Sequence, residues 1–180
     1  MIAPRRLKLS VNNAYGEGEM AVLDFGPQDR PVDLVFAHAN GFNAYTYRQL
    51  LTKVAQDLGV RIWAPDLRGH GRTTLPTDSK HRPNWHDHRD DLVSLLQHLD
   101  APVIFCGHSI GGTSGLLAAA RLPEMIRHLI LLDPVIWPPL TSAAFRMPGL
   151  SAIPSQVPIV KSTLRRREVF DSREQAFASW

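Results

Sequence analysis

The residues best suited to chemistry are 107–111, which read Gly-His-Ser-Ile-Gly. A short apolar run, residues 103–106, precedes them, and a stretch of small residues, 113–121, follows. The order strand, sharp turn, serine, helix places the Ser109 hydroxyl at a helix N-terminus, where N–H groups and the helix dipole favour developing negative charge. The flanking glycines let strand and helix pack closely around a strained serine. This context favours a serine nucleophile for covalent acyl transfer over a purely structural glycine-rich turn.

Composition limits the other functions that need to be considered. The chain has 180 residues and a net charge of +3, with no long basic run, so nucleic acid is not an expected partner. Cys106 is the only cysteine, which excludes an intrachain disulfide. The N-terminus lacks the apolar stretch of a signal peptide, and no segment reaches membrane-spanning length. We therefore expect a cytoplasmic protein with no membrane span and no cofactor.

Strand and helix patterns alternate along the chain. Strands are predicted at 7–11, 20–25, 32–37, 60–64, 102–106 and 129–132, and helices at 45–58, 85–99 and 109–121. An antiparallel pair followed by this alternation indicates an α/β fold with a doubly wound, mostly parallel sheet. The helix at 85–99 has leucines on one face, and its periodicity places Asp90 and Asp91 on the opposite, polar face.

The character of the sequence changes after residue 135. The segment from residue 136 is rich in proline and has no clear period, and it is followed by a stretch with helical features. We interpret 1–135 as a partial α/β core and 136–180 as the start of a cap or lid insertion. The fold is thus expected to be truncated after the sixth strand, which would leave that strand as an open apolar edge.

Three motifs, each at the carboxyl end of a predicted strand, resemble those of the α/β-hydrolase superfamily. They are the serine motif at 107–112, the segment His-Ala-Asn-Gly-Phe-Asn at 38–43, and the segment Ala-Pro-Asp-Leu-Arg-Gly-His-Gly-Arg at 64–72. The resemblance is clear over residues 20–135. Ligands of open α/β sheets bind at these strand ends, so the first two motifs are expected to meet in one crevice.

The resemblance implies a serine hydrolase or esterase that acts on a small-molecule ester, or on a thioester or amide. Ser109 matches the nucleophile, and the N–H of Ile110 matches one donor of the oxyanion hole. The second donor should come from the loop after the third strand, where Phe42 and Gly41 both remain candidates. A haloalkane dehalogenase or an epoxide hydrolase is disfavoured, because those branches of the superfamily use aspartate in place of the serine.

The acid and the base of the triad are harder to assign. In this superfamily they follow the serine in the order acid, then histidine, usually after the seventh and eighth strands. Both are therefore expected beyond residue 180, and the 180-residue chain alone is expected to be inactive, as a fragment of a longer protein. Asp133 stands after the sixth strand, where some members carry the acid. A turn-forming role before Pro134 is the favoured interpretation of this aspartate.

None of the eight histidines stands where the general base belongs. His38 is expected to brace the loop after the third strand, and His70 to be structural. His86 and His88 lie two residues apart on a helix and do not face each other, so no metal site is predicted. These gaps leave a second hypothesis, a catalytically incomplete hydrolase-like chain that binds a small hydrophobic ligand or a partner protein.

Overall fold

The computed structural model describes residues 3–78, 84–138 and 169–179. Within them, six strands form one sheet in the order β1-β2-β4-β3-β5-β6. The strands are β1 (Arg5–Asn13), β2 (Gly16–Phe25), β3 (Leu34–Ala37), β4 (Ile62–Pro65), β5 (Val103–His108) and β6 (Ile126–Leu132). β1 and β2 are antiparallel, and so are β2 and β4, whereas β3 runs parallel to β4 and β5, and β5 runs parallel to β6. The predicted α/β sheet is confirmed.

The first hairpin is longer than the sequence pattern indicates. The strands predicted at 7–11 and 20–25 leave a long connection between them, but only Ala14 and Tyr15 separate β1 from β2. The side-chain Oδ1 of Asn13 accepts a hydrogen bond from the Tyr15 N–H at 2.9 Å and closes this tight turn. Both strands are partly exposed at this end of the hairpin and carry polar residues there. The sequence pattern therefore did not indicate that these residues pair as strands.

Helices cover both faces of the sheet, as a doubly wound fold requires. They are α1 (Arg48–Leu58), α2 (His86–Leu96) and α3 (Ile110–Arg121), with 3-10 turns at Ala44–Tyr47 and Pro123–Met125. Val35 and Phe36 point to opposite faces of β3, and each belongs to a different apolar cluster. The first cluster includes residues of α2 and α3, and the second includes residues of α1.

The polar face predicted for Asp91 is wrong. This carboxylate is fully buried and accepts hydrogen bonds from the Nε (2.8 Å) and Nη2 (2.6 Å) of Arg68, which is 1% exposed. Asn13 also donates to it from its side-chain amide at 2.8 Å. The periodicity of α2 alone placed Asp91 on the polar face of the helix. That face is not exposed, because the β1–β2 turn and the loop after β4 cover it. Burial raises the pKa of the Asp91 carboxyl, and the Arg68 guanidinium opposes that shift.

Strand β6 lies at the edge of the described sheet, where β5 is its one neighbour. Ile130 and Leu132 are each 43% exposed there, in agreement with the open apolar edge predicted from the sequence. The strand begins at Ile126, three residues before the predicted start, so His128 lies inside it instead of preceding it.

The chain divides into two compact units, Met1–Ile136 and Trp137–Trp180. In the second unit the structure describes one helix, α4 (Arg173–Ala178), which begins after Ser172. The Ser172 side chain accepts the Gln175 N–H at 3.1 Å, a typical N-terminal cap. Most of the predicted proline-rich insertion, residues 139–168, lies outside the described residues. None of the described helices is long and apolar enough to cross a membrane.

Candidate active site

Ser109 occupies a strained turn between β5 and α3. Its backbone has φ +54° and ψ −118°, a conformation that residues other than glycine rarely adopt. The Ser109 N–H donates to the Leu132 carbonyl at 2.9 Å, and its carbonyl accepts the Thr113 N–H at 3.0 Å. Such strain costs on the order of 1–3 kcal/mol and persists only where the surrounding structure enforces it.

The glycines on either side permit this turn because the backbones approach too closely for a side chain. A Cβ atom on Gly107 would lie 2.4 Å from the Gly111 carbonyl oxygen. A Cβ atom on Gly111 would lie 2.4 Å from the Ala37 carbonyl oxygen, at the end of β3. The close packing predicted from the sequence is confirmed, and it brings the start of α3 against the loop that follows β3.

The first turn of α3 can stabilise negative charge near Ser109. Ile110, Gly111 and Gly112 are its first three residues, so their N–H groups have no carbonyl one turn earlier in the helix to bond. These N–H groups and the helix dipole together favour an anion at this end. The position of Ile110 fits the donor role that the sequence predicts for it.

The loop after β3 is a type II turn over residues 39–42. The Phe42 N–H donates to the Ala39 carbonyl at 3.1 Å, Gly41 has φ +75°, and Asn40 is not among the described residues with positive φ. The Gly41 N–H donates to the Nε2 of His70 at 3.1 Å. Both predicted donors of the second oxyanion bond, Gly41 and Phe42, thus have acceptors inside the protein in this conformation.

A tyrosine that sequence analysis did not single out connects this loop to the serine turn. The Tyr47 hydroxyl accepts the Ala39 N–H at 3.3 Å and lies 2.7 Å from the Nδ1 of His108, next to Ser109. The Phe42 ring packs edge-on against the Tyr47 ring, with centroids 6.0 Å apart. Burial raises the pKa of the Tyr47 phenol. Tyr47 lies within the helix predicted at 45–58, and the sequence did not indicate its contact with His108, which is 61 residues away.

His38 braces the loop after β3, as predicted, and it also binds the loop after β4. The ring is fully buried, its Nδ1 donates to the Ala39 carbonyl at 2.8 Å, and its Nε2 accepts the Leu67 N–H at 2.9 Å. Both nitrogens are satisfied only in the neutral ring, and burial lowers the pKa of His38 to about 4. Asp66 adds a second brace, because its carboxylate accepts the N–H groups of Ala44 at 2.9 Å and Arg72 at 2.8 Å.

The low pKa of His38 predicts a loss of stability in acid. The unfolded chain takes up a proton near pH 6.5, whereas folded His38 does so near pH 4, so stability falls as the pH drops through this window. We expect His38 to contribute a loss of about 3 kcal/mol in the free energy of unfolding between pH 7 and pH 4. Urea unfolding at both pH values measures it. His38→Gln should flatten this pH dependence, and equal slopes in variant and wild type would refute the assignment.

The remaining predicted site residues are placed as follows. Asp133 follows β6, is exposed, and has φ +46°, directly after the Leu132 carbonyl that binds the Ser109 N–H. Among the described residues, no histidine hydrogen-bonds the Ser109 Oγ. The described part of the chain also holds no cluster of three or more potential metal ligands.

Comparison with known proteins gives a consistent family. A model described as the alpha/beta hydrolase family matches residues 34–180. An ethanol acetyltransferase from Eremothecium cymbalariae is 31% identical over 138 residues, which are 73% of this chain and 37% of that protein. A haloalkane dehalogenase from Mycolicibacterium paratuberculosis is 34% identical over 115 residues, or 63% of this chain and 37% of that protein. The chain therefore spans little more than a third of these relatives' lengths.

A solved structure shares the fold. The thioesterase domain from the curacin biosynthetic pathway superposes with a TM-score of 0.70 and covers 97% of this chain and 60% of its own. Its sequence identity is 19%, so the likeness concerns the fold alone.

Proposed function

The chain belongs to the alpha/beta hydrolase family, and on that premise we propose that it is the Ser109-bearing part of a serine hydrolase that cleaves an ester, with thioesters and amides as close variants. The observation that carries the proposal is the strained backbone of Ser109, with φ +54°, at the N-terminus of α3. A binding protein has no need for a serine held in this way. An aspartate would be expected at this position in a dehalogenase, so Ser109 argues against that activity for this chain.

The proposed reaction is a two-step acyl transfer. The Ser109 Oγ attacks the carbonyl carbon of the substrate, and its proton passes to a general base. The protonated base then gives this proton to the leaving oxygen as the tetrahedral intermediate collapses and expels the alcohol. Water attacks the resulting acyl-Ser109 ester, releases the carboxylic acid and restores the hydroxyl. The described histidines do not hydrogen-bond the Ser109 Oγ, so none of them is assigned as that base.

The oxyanion hole is proposed to use two backbone N–H groups. Ile110, at the start of α3, supplies the first. For the second, Gly41 and Phe42 donate to other groups in the described turn, and the Ala39 N–H donates to Tyr47. The Asn40 N–H has no acceptor among the described residues, and we assign it as the donor in this conformation. Loss of one such donor costs about 3–4 kcal/mol of transition-state stabilisation.

Asp133 is proposed to shape the strand end instead of serving as the triad acid. Aspartate is one of the few residues that tolerate a positive φ, and Pro134 follows it directly. Asp133→Asn keeps that tolerance and removes the charge, so it isolates the electrostatic role. We expect kcat of the full-length protein to change only a few-fold, measured with an activated ester. A loss on the order of 10⁴ would identify Asp133 as the acid that orients the base.

The alternative function is a catalytically incomplete chain that binds a small hydrophobic ligand or a partner protein. It is supported by the absence of a histidine bonded to Ser109 among the described residues, and by Phe42, a residue of the loop after β3 that is 45% exposed. A protein of this kind would bind apolar esters without turning them over.

Stopped-flow hydrolysis of p-nitrophenyl acetate by the full-length protein separates these hypotheses. We expect protein-dependent release of p-nitrophenolate, with an initial phase of about one equivalent per site if deacylation is the slower step. A chloroalkane assayed in parallel should release no halide. Saturable binding of the ester with no product would support the incomplete chain and contradict the hydrolase.

A further inference from the structure

Four-residue turns such as that at residues 39–42 have two common forms, which differ by a rotation of the central peptide group. In a type II turn the central residue before Phe42 has a positive φ, as Gly41 does here at +75°, and in a type I turn that φ is negative. The change between them flips the peptide that joins Asn40 to Gly41. The direction of the Gly41 N–H therefore differs between the two forms, and an acceptor that holds this N–H selects one of them.

His70 is placed to choose between these two forms. Its Nδ1 lies 3.0 Å from the Arg68 carbonyl oxygen, which can only accept, so this nitrogen carries the ring proton. The other nitrogen, Nε2, then has a free lone pair and accepts the Gly41 N–H at 3.1 Å. The Asn40 side-chain amide, with Oδ1 3.1 Å from Nε2, can bond this nitrogen only when it is turned to present its Nδ2–H.

The ring itself is firmly anchored. The Arg68 carbonyl accepts the hydrogen bond from the Nδ1–H of His70. Arg68 is 1% exposed, and the Asp91 carboxylate holds its guanidinium. The His38 ring packs edge-on against the His70 ring, with centroids 5.1 Å apart. A flipped turn would point the Asn40 carbonyl oxygen towards the Nε2 lone pair, and two acceptors repel each other. The type II form is thereby favoured at this loop.

We propose that His70 is a positioning residue for the oxyanion loop. By holding the Gly41 N–H it keeps the turn in the type II form, and this fixes the conformation of the loop to which the proposed donor, the Asn40 N–H, belongs. The inference rests on the proposed function, because it concerns catalysis by the same site. Its physical basis is that a misplacement of about 1 Å at a reacting centre can cost about 100-fold in rate.

Two substitutions of His70 separate the acceptor from the ring. His70→Phe keeps an aromatic ring against His38 but has no acceptor, whereas His70→Gln places an amide oxygen near the position of Nε2. In the full-length protein we expect His70→Phe to lower kcat about 10- to 100-fold with KM nearly unchanged. His70→Gln should retain most of the activity. Equal losses in both variants, or a change confined to KM, would contradict a positioning role.

A matched glycine pair tests the turn without touching His70. A Cβ on Gly41 meets nothing within 4 Å, so Gly41→Ala disfavours the positive φ without a clash. Gly59, which ends α1 with φ +63°, is equally open and serves as the control. We expect Gly41→Ala to lower kcat as His70→Phe does, and Gly59→Ala to leave it unchanged. Unaltered kcat in Gly41→Ala would overturn the proposal.

A measurement independent of catalysis keeps this inference separate from the proposed function. In a Ser109→Ala background, amide exchange at Gly41 can be followed by NMR with and without the His70 substitutions. We expect exchange to accelerate several-fold in the His70→Phe variant and to stay slow in the His70→Gln variant. Identical exchange in the two would refute the hydrogen bond between Gly41 and His70, whether or not Ser109 is the nucleophile. Faster Gly41 exchange in the His70→Phe variant, together with an unchanged kcat when Ser109 is present, would refute the catalytic consequence of this hydrogen bond.

Discussion

Replacement of Ser109 by alanine is expected to lower kcat of the full-length protein about 10⁴- to 10⁶-fold, because members of a catalytic triad act as a unit and the nucleophile is indispensable. The oxyanion donors and substrate binding would account for the residual rate over water. Hydrolysis of an activated ester at saturating substrate measures the effect. The fold should persist, since serine and alanine bear the same strain at φ +54°.

Ser114→Ala is the matched control for this experiment. Ser114 lies on the same helix, is fully buried, and its hydroxyl has no hydrogen-bond partner among the described residues. Removal of such a hydroxyl should leave kcat unchanged and raise the free energy of unfolding by about 1 kcal/mol. Undiminished hydrolysis in Ser109→Ala, or an equal loss in Ser114→Ala, would exclude Ser109 as the specific nucleophile.

The largest expected effect on stability comes from the buried ion pair between Arg68 and Asp91. Asp91→Ala should lower the free energy of unfolding by about 3–5 kcal/mol, because it leaves the Arg68 guanidinium buried without its counter-charge. The Nη1 of Arg68 would keep its bonds to the carbonyls of Tyr15 (2.8 Å) and Pro76 (2.5 Å), which do not neutralise it. Urea unfolding of the full-length protein at neutral pH gives the difference.

The neighbouring residue provides the control. Asp90 bonds Arg89 at 2.6 Å on the surface of the same helix, where both side chains are 23% exposed. Asp90→Ala should cost less than about 1 kcal/mol, as exposed ion pairs contribute little. If the two alanine variants proved equally stable, the Arg68–Asp91 pair would not connect the β1–β2 turn, the loop after β4 and α2 in the way described.

Local signals were sufficient to predict the serine turn. The strained geometry at Ser109 and the close packing at Gly107 and Gly111 involve residues within one strand–turn–helix unit, apart from the contact with the end of β3. Alternation of strands and helices likewise predicted the sheet and its two covered faces. The sheet follows from short-range periodicity, and the serine turn from a glycine-flanked serine between a strand and a helix; a single sequence displays both directly.

The contacts that shape the oxyanion loop could not be predicted in the same way. Tyr47 meets His108 across 61 residues, and His70 meets Gly41 across 29, so neither pairing leaves a mark on local periodicity. The burial of Asp91 was missed for the same reason, since the groups that cover it come from other parts of the chain. The position of the motif alone therefore suggested the N–H groups of Gly41 and Phe42 as oxyanion donors. It gives no sign of the hydrogen bonds that both groups already make within the protein.

The central claim is that Ser109 forms the covalent intermediate, and a fluorophosphonate tests it most directly. The Ser109 Oγ would displace fluoride from phosphorus and keep a stable Oγ–P bond, which peptide mass spectrometry can locate in the full-length protein. We expect one adduct per chain, on Ser109, together with complete loss of esterase activity. An adduct confined to another residue, or esterase activity that survives full modification of Ser109, would contradict the account.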